Sequence, residues 1–472
     1  CYAAFKAGMV PVNTNYRYLD DELVYLWDNA DAVAVVFHGT FTERVATVRP
    51  QLPKVRRWIW VDDGTDARPD WADDYAEVVA TSPGRAIPPW GRSGDDVVMI
   101  YTGGTTGMPK GVMWRQDDLI GVTCATGNAL LAADPADVGG VDAFIDSIAA
   151  PGSAGLPACP LMHGTGWFTA NMFLTQAGSV VTLVDRSLDW TEVLDTIERE
   201  RIGALTIVGD AFGKPMVKAL DARPGHWDLS SLMLVASSGV MWSEPVKEAM
   251  LAHNPGMFLV DTFSSSEAIG MGSSISAGEN AEKTAHFALG PGCQVFGDDG
   301  TPIEAGSGER GRVAVPGRVP IAYYKDPEKS AATFIEFEGV RYSMPGDYAT
   351  VDADGTISLL GRGSVCINTG GEKVFPEEVE EALKTDPSVA DAVVVGLPDD
   401  KFGEAITAVV EPAADASLDE GALIARVKEH LAHYKAPKRV VSIDTIGRAP
   451  NGKVDYKRMK AYAADELGIP LD

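Results

Sequence analysis

The sequence is poor in cysteine, in positive charge and in long apolar runs, and each shortage excludes something. Five cysteines, at positions 1, 124, 159, 293 and 366, are odd in number and scattered, with no C-x-x-C pair. That spacing indicates neither a disulfide framework nor a zinc site, and a cytoplasmic, reducing setting is expected. Only 40 Lys and Arg stand against 67 Asp and Glu, a formal charge of −27. A charge of that sign argues against a nucleic-acid partner or an anionic membrane held by bulk electrostatics. No apolar run approaches the roughly 18 residues a membrane helix needs, so no integral membrane segment is expected, and no secretory signal is visible.

What is present is a chain of 472 residues, 45% hydrophobic, long enough for at least two cored domains. It opens on CYAAFKAGMVPVNTNY, already in a helix-like pattern and without an initiator Met, and is expected to lack the start of its first domain. From 31 to about 262, short β-branched runs bounded by turn residues alternate with helical segments. DAVAVVF (31–37), RWIWVDD (57–63), DVVMIYT (96–102), GSVVTLV (178–184), GALTIV (203–208), LMLVAS (232–237) and MFLVDTF (257–263) read as strands. Between them WTEVLDTIERER reads as a helix, with Asp189 and Glu192 spaced as a capping box. Such alternation predicts a mainly parallel sheet.

From about 290 to 361 Asp-Gly turns between alternating segments predict β-hairpins. Helix, two strands and a further helix, the last capped by Ser417 with Glu420 three residues on, then form a small α+β unit. The fold class expected is therefore α/β: a large domain over 1–361 with a β-rich subdomain, and a small C-terminal α+β domain over 362–472. Within 428–460 nine Lys or Arg stand against three acids, which is either a solvated helix face or a surface that meets phosphates.

The stretch YTGGTTGMPKG (101–111) follows an apolar strand directly. Glycines let backbone N–H groups converge on an anion, threonines add hydroxyls and Lys110 a charge. It is not a Walker P-loop, because Met108 follows Gly107 and Gly111 follows Lys110. Alone it is either a phosphate cradle or a glycine-rich turn.

Six stretches taken together decide between these. YTGGTTGMPKG, PLMHGTGW (160–167), DTFSSSEAIG (261–270), YSMPGDYATVDADG (342–355), GRGSVCINTGGEKVFPEEVEEAL (361–383) and APNGKVDYK (449–457) resemble, in order, the signatures of AMP-forming adenylating enzymes. That family includes acyl- and aryl-CoA synthetases, luciferases and peptide-synthetase adenylation domains. The fifth stretch is most similar to fatty-acyl-CoA synthetases common in actinobacteria, a group that includes ligases for steroid side-chain acids.

The resemblance implies a two-step reaction. A carboxylate attacks the α-phosphorus of ATP, and coenzyme A thiol then attacks the acyl-adenylate. It implies that Thr102, Gly103, Gly104, Thr105, Thr106, Gly107 and Lys110 hold phosphates. Glu267 would be the magnesium ligand, and Ser238, Gly239, Val240, Asp261, Phe263 and Ser266 would border the nucleotide. Ser266 stands where the family has Thr, and Phe263 where it has an aromatic, usually Tyr; the match over 238–240 is loose. Asp347 and Arg362 would hold the ribose, and Lys453 would touch carboxylate and α-phosphate together. His163 would lie by the acyl carboxylate, with Gly164 and Trp167 shaping the acyl pocket.

For the second step the resemblance implies rotation of the small domain about 362–364, presenting Gly370, Gly371 and Lys373 to coenzyme A. Ser364 stands where many relatives carry Asp or Lys at the pivot. The reading is an ATP- and magnesium-dependent ligase joining an apolar carboxylic acid to coenzyme A. Its alternatives are delivery to a carrier-protein pantetheine and a binding protein without turnover. Acyl chain length and oligomeric state, homo-oligomers included, are not legible, and 130–158 is expected to be a loop-dominated insertion.

Overall fold

The computed structural model describes residues 1–472 except 83–86, 103–108, 128–142, 144–145, 147, 149, 186, 370–371, 400–402, 450–451 and 472. The architecture is mixed α/β, and the chain divides into two compact units: 1–122 with 318–334, and 123–317 with 335–472.

The first unit carries two small sheets. Ala34–His38, Arg57–Val61 and Asp73–Asp74 run parallel. Val97–Thr102 and Lys110–Arg115 pair antiparallel, with Ala322–Tyr323 on the far edge. The strand before the glycine-rich stretch therefore does not enter a parallel sheet; it turns back as a hairpin. Val35, Phe37, Trp58 and Trp60 alternate inward along the first sheet and share a core with Met99 and Tyr101 of the hairpin. Asn13 grips Tyr101 by both backbone groups, at 2.6 and 3.0 Å, and the Tyr101 hydroxyl donates to Asn29 at 2.6 Å. These bonds fix the residue from which the glycine-rich stretch departs.

The second unit is built on a long mixed sheet. Its parallel part runs Ser179–Val180, Ala154–Pro157, Ala204–Ile207, Leu234–Ser238, Phe258–Phe263 in spatial order. Antiparallel strands continue it, among them the hairpin Asp347–Val351 with Thr356–Arg362 that the Asp-Gly turn predicted. Leu156, Leu205, Ile207, Val235 and Leu259 are wholly shielded and pack with helices Trp190–Arg199, Gly209–Ala222 and Glu244–His253.

Several details differ from expectation. Ala154–Pro157, inside the segment expected to be loop, is a strand between two neighbours; most of 128–149 lies outside the described residues. Of GSVVTLV only Ser179–Val180 pairs. Asp189 does cap its helix, accepting from the Thr191 amide, but Glu192 turns away to the Val184 amide instead of closing a box. The later helix, Glu420–His430, is capped by Asp419 rather than Ser417, because Asp419 reaches the Ala422 amide while Glu420 accepts from Val440.

The C-terminal α+β portion rests on strands Val389–Asp399 and Gly403–Pro412, paired antiparallel. Successive residues face opposite sides of a strand. Ala392 and Val394 therefore join the core under helices Pro376–Lys384 and Glu420–His430, while Val393, Val395 and Leu397 join the core under Tyr456–Leu467. Two covered faces explain the uninterrupted apolar run.

Candidate active site

In open α/β sheets ligands collect beyond the carboxyl ends of parallel strands. Here the expected residues hang from those ends. Ala154–Pro157 leads to His163, which precedes helix Gly164–Thr175 in extended backbone conformation. Leu234–Ser238 runs into Gly239 and Val240, and Phe258–Phe263 into the turn bearing Ser266 and Glu267. Side-chain positions bring these turns together. A Cβ on Gly164 would lie 3.2 Å from Ser266 Oγ, and one on Gly239 3.6 Å from Thr165 Oγ1. Ser343 Oγ donates to the Glu267 carbonyl at 2.6 Å and anchors that turn. Phe263 is buried against Phe287, rings 5.7 Å apart, and Trp167 tilts against Phe168 at 5.6 Å.

Asp347 and Arg362 are register partners on the antiparallel hairpin. Arg362 Nε donates to Asp347 Oδ1 at 3.0 Å. Asp347 is only 5% exposed, and its other oxygen, Oδ2, is enclosed without a protein partner. A buried acceptor without a donor costs free energy, so this oxygen is suited to a hydroxyl brought by a ligand.

Lys453 follows the tight turn at Gly452, whose φ of +72° favours glycine. A Cβ there would meet Val240 Cγ2 at 2.8 Å, so the turn seats closely on a residue expected to border the nucleotide. Lys453 acts electrostatically on His163, and Arg362, Glu267 and Asp347 act on it. The site thus gathers residues from 163 to 453 around one ammonium. Lys453 keeps solvent-accessible area, yet desolvation, and then the Arg362 charge, hold its pKa below the ordinary lysine value, with Glu267 and Asp347 opposing. Burial, and then Lys453, lower His163 to about 4, which leaves its ring neutral at neutral pH.

Two participants escaped the sequence reading. Arg448 forks onto Asp391 at 2.5 and 2.8 Å and donates from Nη1 to the Gly452 carbonyl at 3.2 Å, so it clamps the turn that presents Lys453. Lys247 is fully shielded on helix Glu244–His253, where the Asp261 charge acts on it. Asp261, expected at the nucleotide, is itself 5% exposed; burial raises it to about 7 against the pull of Lys247. The basic strip is largely engaged within its own fold: Lys435 with Glu378, Arg439 with Glu420, Arg448 with Asp391, Lys460 with Glu404, and Arg458 with the Ile446 carbonyl. It is a less open cationic surface than the count of charges implies.

The AMP-binding enzyme family matches residues 1–319, and its C-terminal domain matches 378–453. The chain belongs to the AMP-binding enzymes. It is 40% identical to the 3-oxocholest-4-en-26-oate–CoA ligase of Rhodococcus rhodochrous, over 100% of this chain and 84% of that one. It is 41% identical to the medium/long-chain-fatty-acid–CoA/3-oxocholest-4-en-26-oate–CoA ligase of Mycobacterium tuberculosis, over 98% of this chain and 84% of the relative. Its fold is that of ATP-bound MatB from Rhodopseudomonas palustris, at a TM-score of 0.79 and 22% identity over 98% and 86% of the two chains.

Other expected residues of this AMP-binding enzyme fall in the other unit or outside the described residues. Thr102 and Lys110 belong to the first compact unit, where Lys110 Nζ lies 2.6 Å from Asp326 and 5.7 Å from the Tyr323 ring centre. Gly103, Gly104, Thr105, Thr106, Gly107, Gly370 and Gly371 lie outside the described residues. Only the backbone of Ser364 and Lys373 is described: a 3-10 turn at Gly363–Val365 and strand Glu372–Val374, which pairs with Ile367–Thr369. Among the described residues no group of three or more His, Cys, Asp or Glu could hold a metal, and no helix is long and apolar enough to cross a membrane.

Proposed function

We propose that this AMP-binding enzyme is an ATP-dependent ligase that joins a fatty or steroid side-chain carboxylic acid to coenzyme A. The observation that carries this is the gathering of Lys453, Glu267, Asp347 and Arg362 within one electrostatic neighbourhood. The chemical problem is charge: a carboxylate must approach a polyanion, and pyrophosphate leaves more negative still. Preorganised cations and donors reduce that barrier. Lys453 binds the incoming carboxylate and the α-phosphate together and neutralises their repulsion. Asp347 accepts the ribose hydroxyls with the oxygen that Arg362 leaves vacant. Arg362 keeps Asp347 aimed. His163, neutral and beside Lys453, borders the carboxylate without competing for charge.

Magnesium fits here as an ion shared with the nucleotide. It commonly takes one or two carboxylates plus substrate phosphates, and Glu267 supplies such a carboxylate where no three-acid cluster exists among the described residues. Bound there, it would offset phosphate charge. Thr102, the glycine-rich stretch and Lys110 hold the outer phosphates in this reading.

The small domain begins near 362 and turns about Arg362–Ser364. The turn withdraws Lys453 and brings strands Ile367–Thr369 and Glu372–Val374 to the coenzyme A thiol. The thiolate then attacks the acyl carbonyl, its carbon–sulfur bond forms, and AMP leaves with the oxygen that joined carboxylate to phosphorus. The kinship to ligases of medium- and long-chain acids and of 3-oxocholestenoate supports an apolar acid as substrate. A cytoplasmic setting supplies ATP and coenzyme A.

The test is a panel of fatty and steroid side-chain acids with ATP and magnesium, with and without coenzyme A, following pyrophosphate and product masses. Acid-dependent pyrophosphate, and a thioester formed only with coenzyme A, is the expected result. An acyl-adenylate indifferent to coenzyme A would refute transfer to that thiol.

A further inference from the structure

One half-buried acid is used by nothing in the reaction above. Glu377 sits at the start of helix Pro376–Lys384, and its carboxyl lies against Gly361. The Arg362 backbone amide donates to that carboxyl. The other oxygen, Oε2, is sealed from solvent and has no partner. The approach requires glycine at 361: its φ is +120°, and any Cβ there would collide with Glu377 Oε2. The charged and titratable groups around it are Glu380 on its own helix, Asp347 and Arg362 on the hairpin, and Tyr456 on the last helix. Burial first, then the Glu380 charge, raise Glu377 well above the usual carboxylate range. Glu380, itself buried and also raised by burial, accepts from the Val394 amide and the Tyr456 hydroxyl.

We propose that Glu377 is a positioning residue for the domain rotation, its uncharged carboxyl fastening the Gly361–Arg362 backbone in the arrangement that holds Lys453 beside Asp347 and releasing it on ionisation. This rests on the hinge reading of 362–364 given above. An enclosed carboxyl with one idle oxygen, beside the Glu380 carboxyl, favours its protonated form, and the hinge-peptide donor only partly opposes this. Swung out to water it loses that proton at the ordinary carboxylate value. Opening is therefore linked to proton release, and its equilibrium constant grows up to about tenfold per pH unit between the ordinary and the raised pKa, levelling off above the latter. Adenylation, which needs Lys453 in place, is favoured on the acid side, and thioester formation as pH rises.

The primary readout needs no substrate. Amide hydrogen exchange of the segment 359–366, corrected for intrinsic rates, is followed from about pH 5.5 to about pH 7.5 on the intact chain. The wild type should open at least about tenfold more over that span, and Glu377→Gln, which keeps shape and one acceptor, should change less than about twofold. Equal slopes in wild type and Glu377→Gln, or a flat wild type, would overturn the proposal. Gly361→Ala serves if Glu377→Gln does not fold: evicting the side chain should give high, pH-independent opening, and a retained wild-type slope would refute the idea. In the two half-reactions the ratio of thioester formation to adenylation should rise with pH in wild type and not in Glu377→Gln. Loss of both half-reactions in wild type would sink the functional reading while leaving the exchange result to stand alone.

Discussion

Replacing Asp347 by Asn separates binding from folding at one oxygen. In the native site Oδ1 takes Arg362 Nε at 3.0 Å, and Oδ2 is enclosed and idle. Asn keeps one acceptor, loses the charge, and turns an amide NH2 either toward the guanidinium or toward the ribose. A hydrogen bond to a charged acceptor contributes about 1.5–3 kcal/mol. Losing about 2–3 kcal/mol of ribose binding lowers kcat/KM for ATP roughly 30- to 150-fold. Stability responds far less. The Arg362 side chain is 37% exposed, so the ion pair contributes only ~0–1 kcal/mol after solvent screening. Removing a buried charge with an idle oxygen offsets part even of that. The assay is acid-dependent ATP–pyrophosphate exchange at varied ATP, beside a thermal melt. A fall below about threefold, or a melting temperature lowered as far as a core mutation lowers it, would refute the ribose role.

Further outcomes follow from the same geometry. Lys453→Ala should abolish acid-dependent pyrophosphate exchange and leave the melt nearly unchanged; surviving adenylation would contradict the role given to that ammonium. Arg448→Lys keeps the charge but not the fork onto Asp391 and the Gly452 carbonyl. It should lower adenylation kcat about 100-fold, as a misplaced catalytic group does, with KM for ATP within about twofold; an equal loss in KM would place Arg448 at the nucleotide instead. Asp261 is raised to about 7 by burial, opposed by Lys247. The native state therefore holds a proton there that the unfolded chain releases in the ordinary carboxylate range. This group costs stability progressively as pH climbs from that range to about 7, by up to about 1.4 kcal/mol per unit, and adds nothing further above it. Asp261→Asn should flatten that part of the stability–pH curve measured by denaturant unfolding, and an unchanged slope would rule out this proton.

Much of the frame was legible because periodicity and turn chemistry act locally. The apolar runs at 34–38, 57–61, 204–207, 234–238 and 258–263 are strands as read. The Asp-Gly turn at 354–355 gives the hairpin that sets Asp347 opposite Arg362. Where reading failed, a distant partner decided. Ala154–Pro157 has little strand propensity, yet neighbours on both sides pair with it. Lys110–Arg115 looks like the tail of a phosphate loop, and becomes a strand only because Val97–Thr102 lies beside it. Lys247, Glu377 and Arg448 are charged residues that a sequence places at the surface. Their inward placement depends on groups 14 to 57 positions away, Asp261, Arg362 and Asp391 among them. One local signal did exist for Lys247: it shares a helix face with Val246, Met250 and Leu251, all buried. The carboxylate at Asp347 was legible as a motif, but its idle oxygen, the feature that bears on ligand binding, was not.

The central claim is that acid is activated by attack on the α-phosphorus of ATP and then passed to a thiol. Oxygen bookkeeping tests it directly. A fatty acid labelled with oxygen-18 in both carboxylate positions is turned over with ATP, magnesium and coenzyme A, and the AMP is weighed by mass spectrometry. The account predicts AMP carrying one heavy oxygen for each thioester formed. Unlabelled AMP, or ADP in its place, would contradict it.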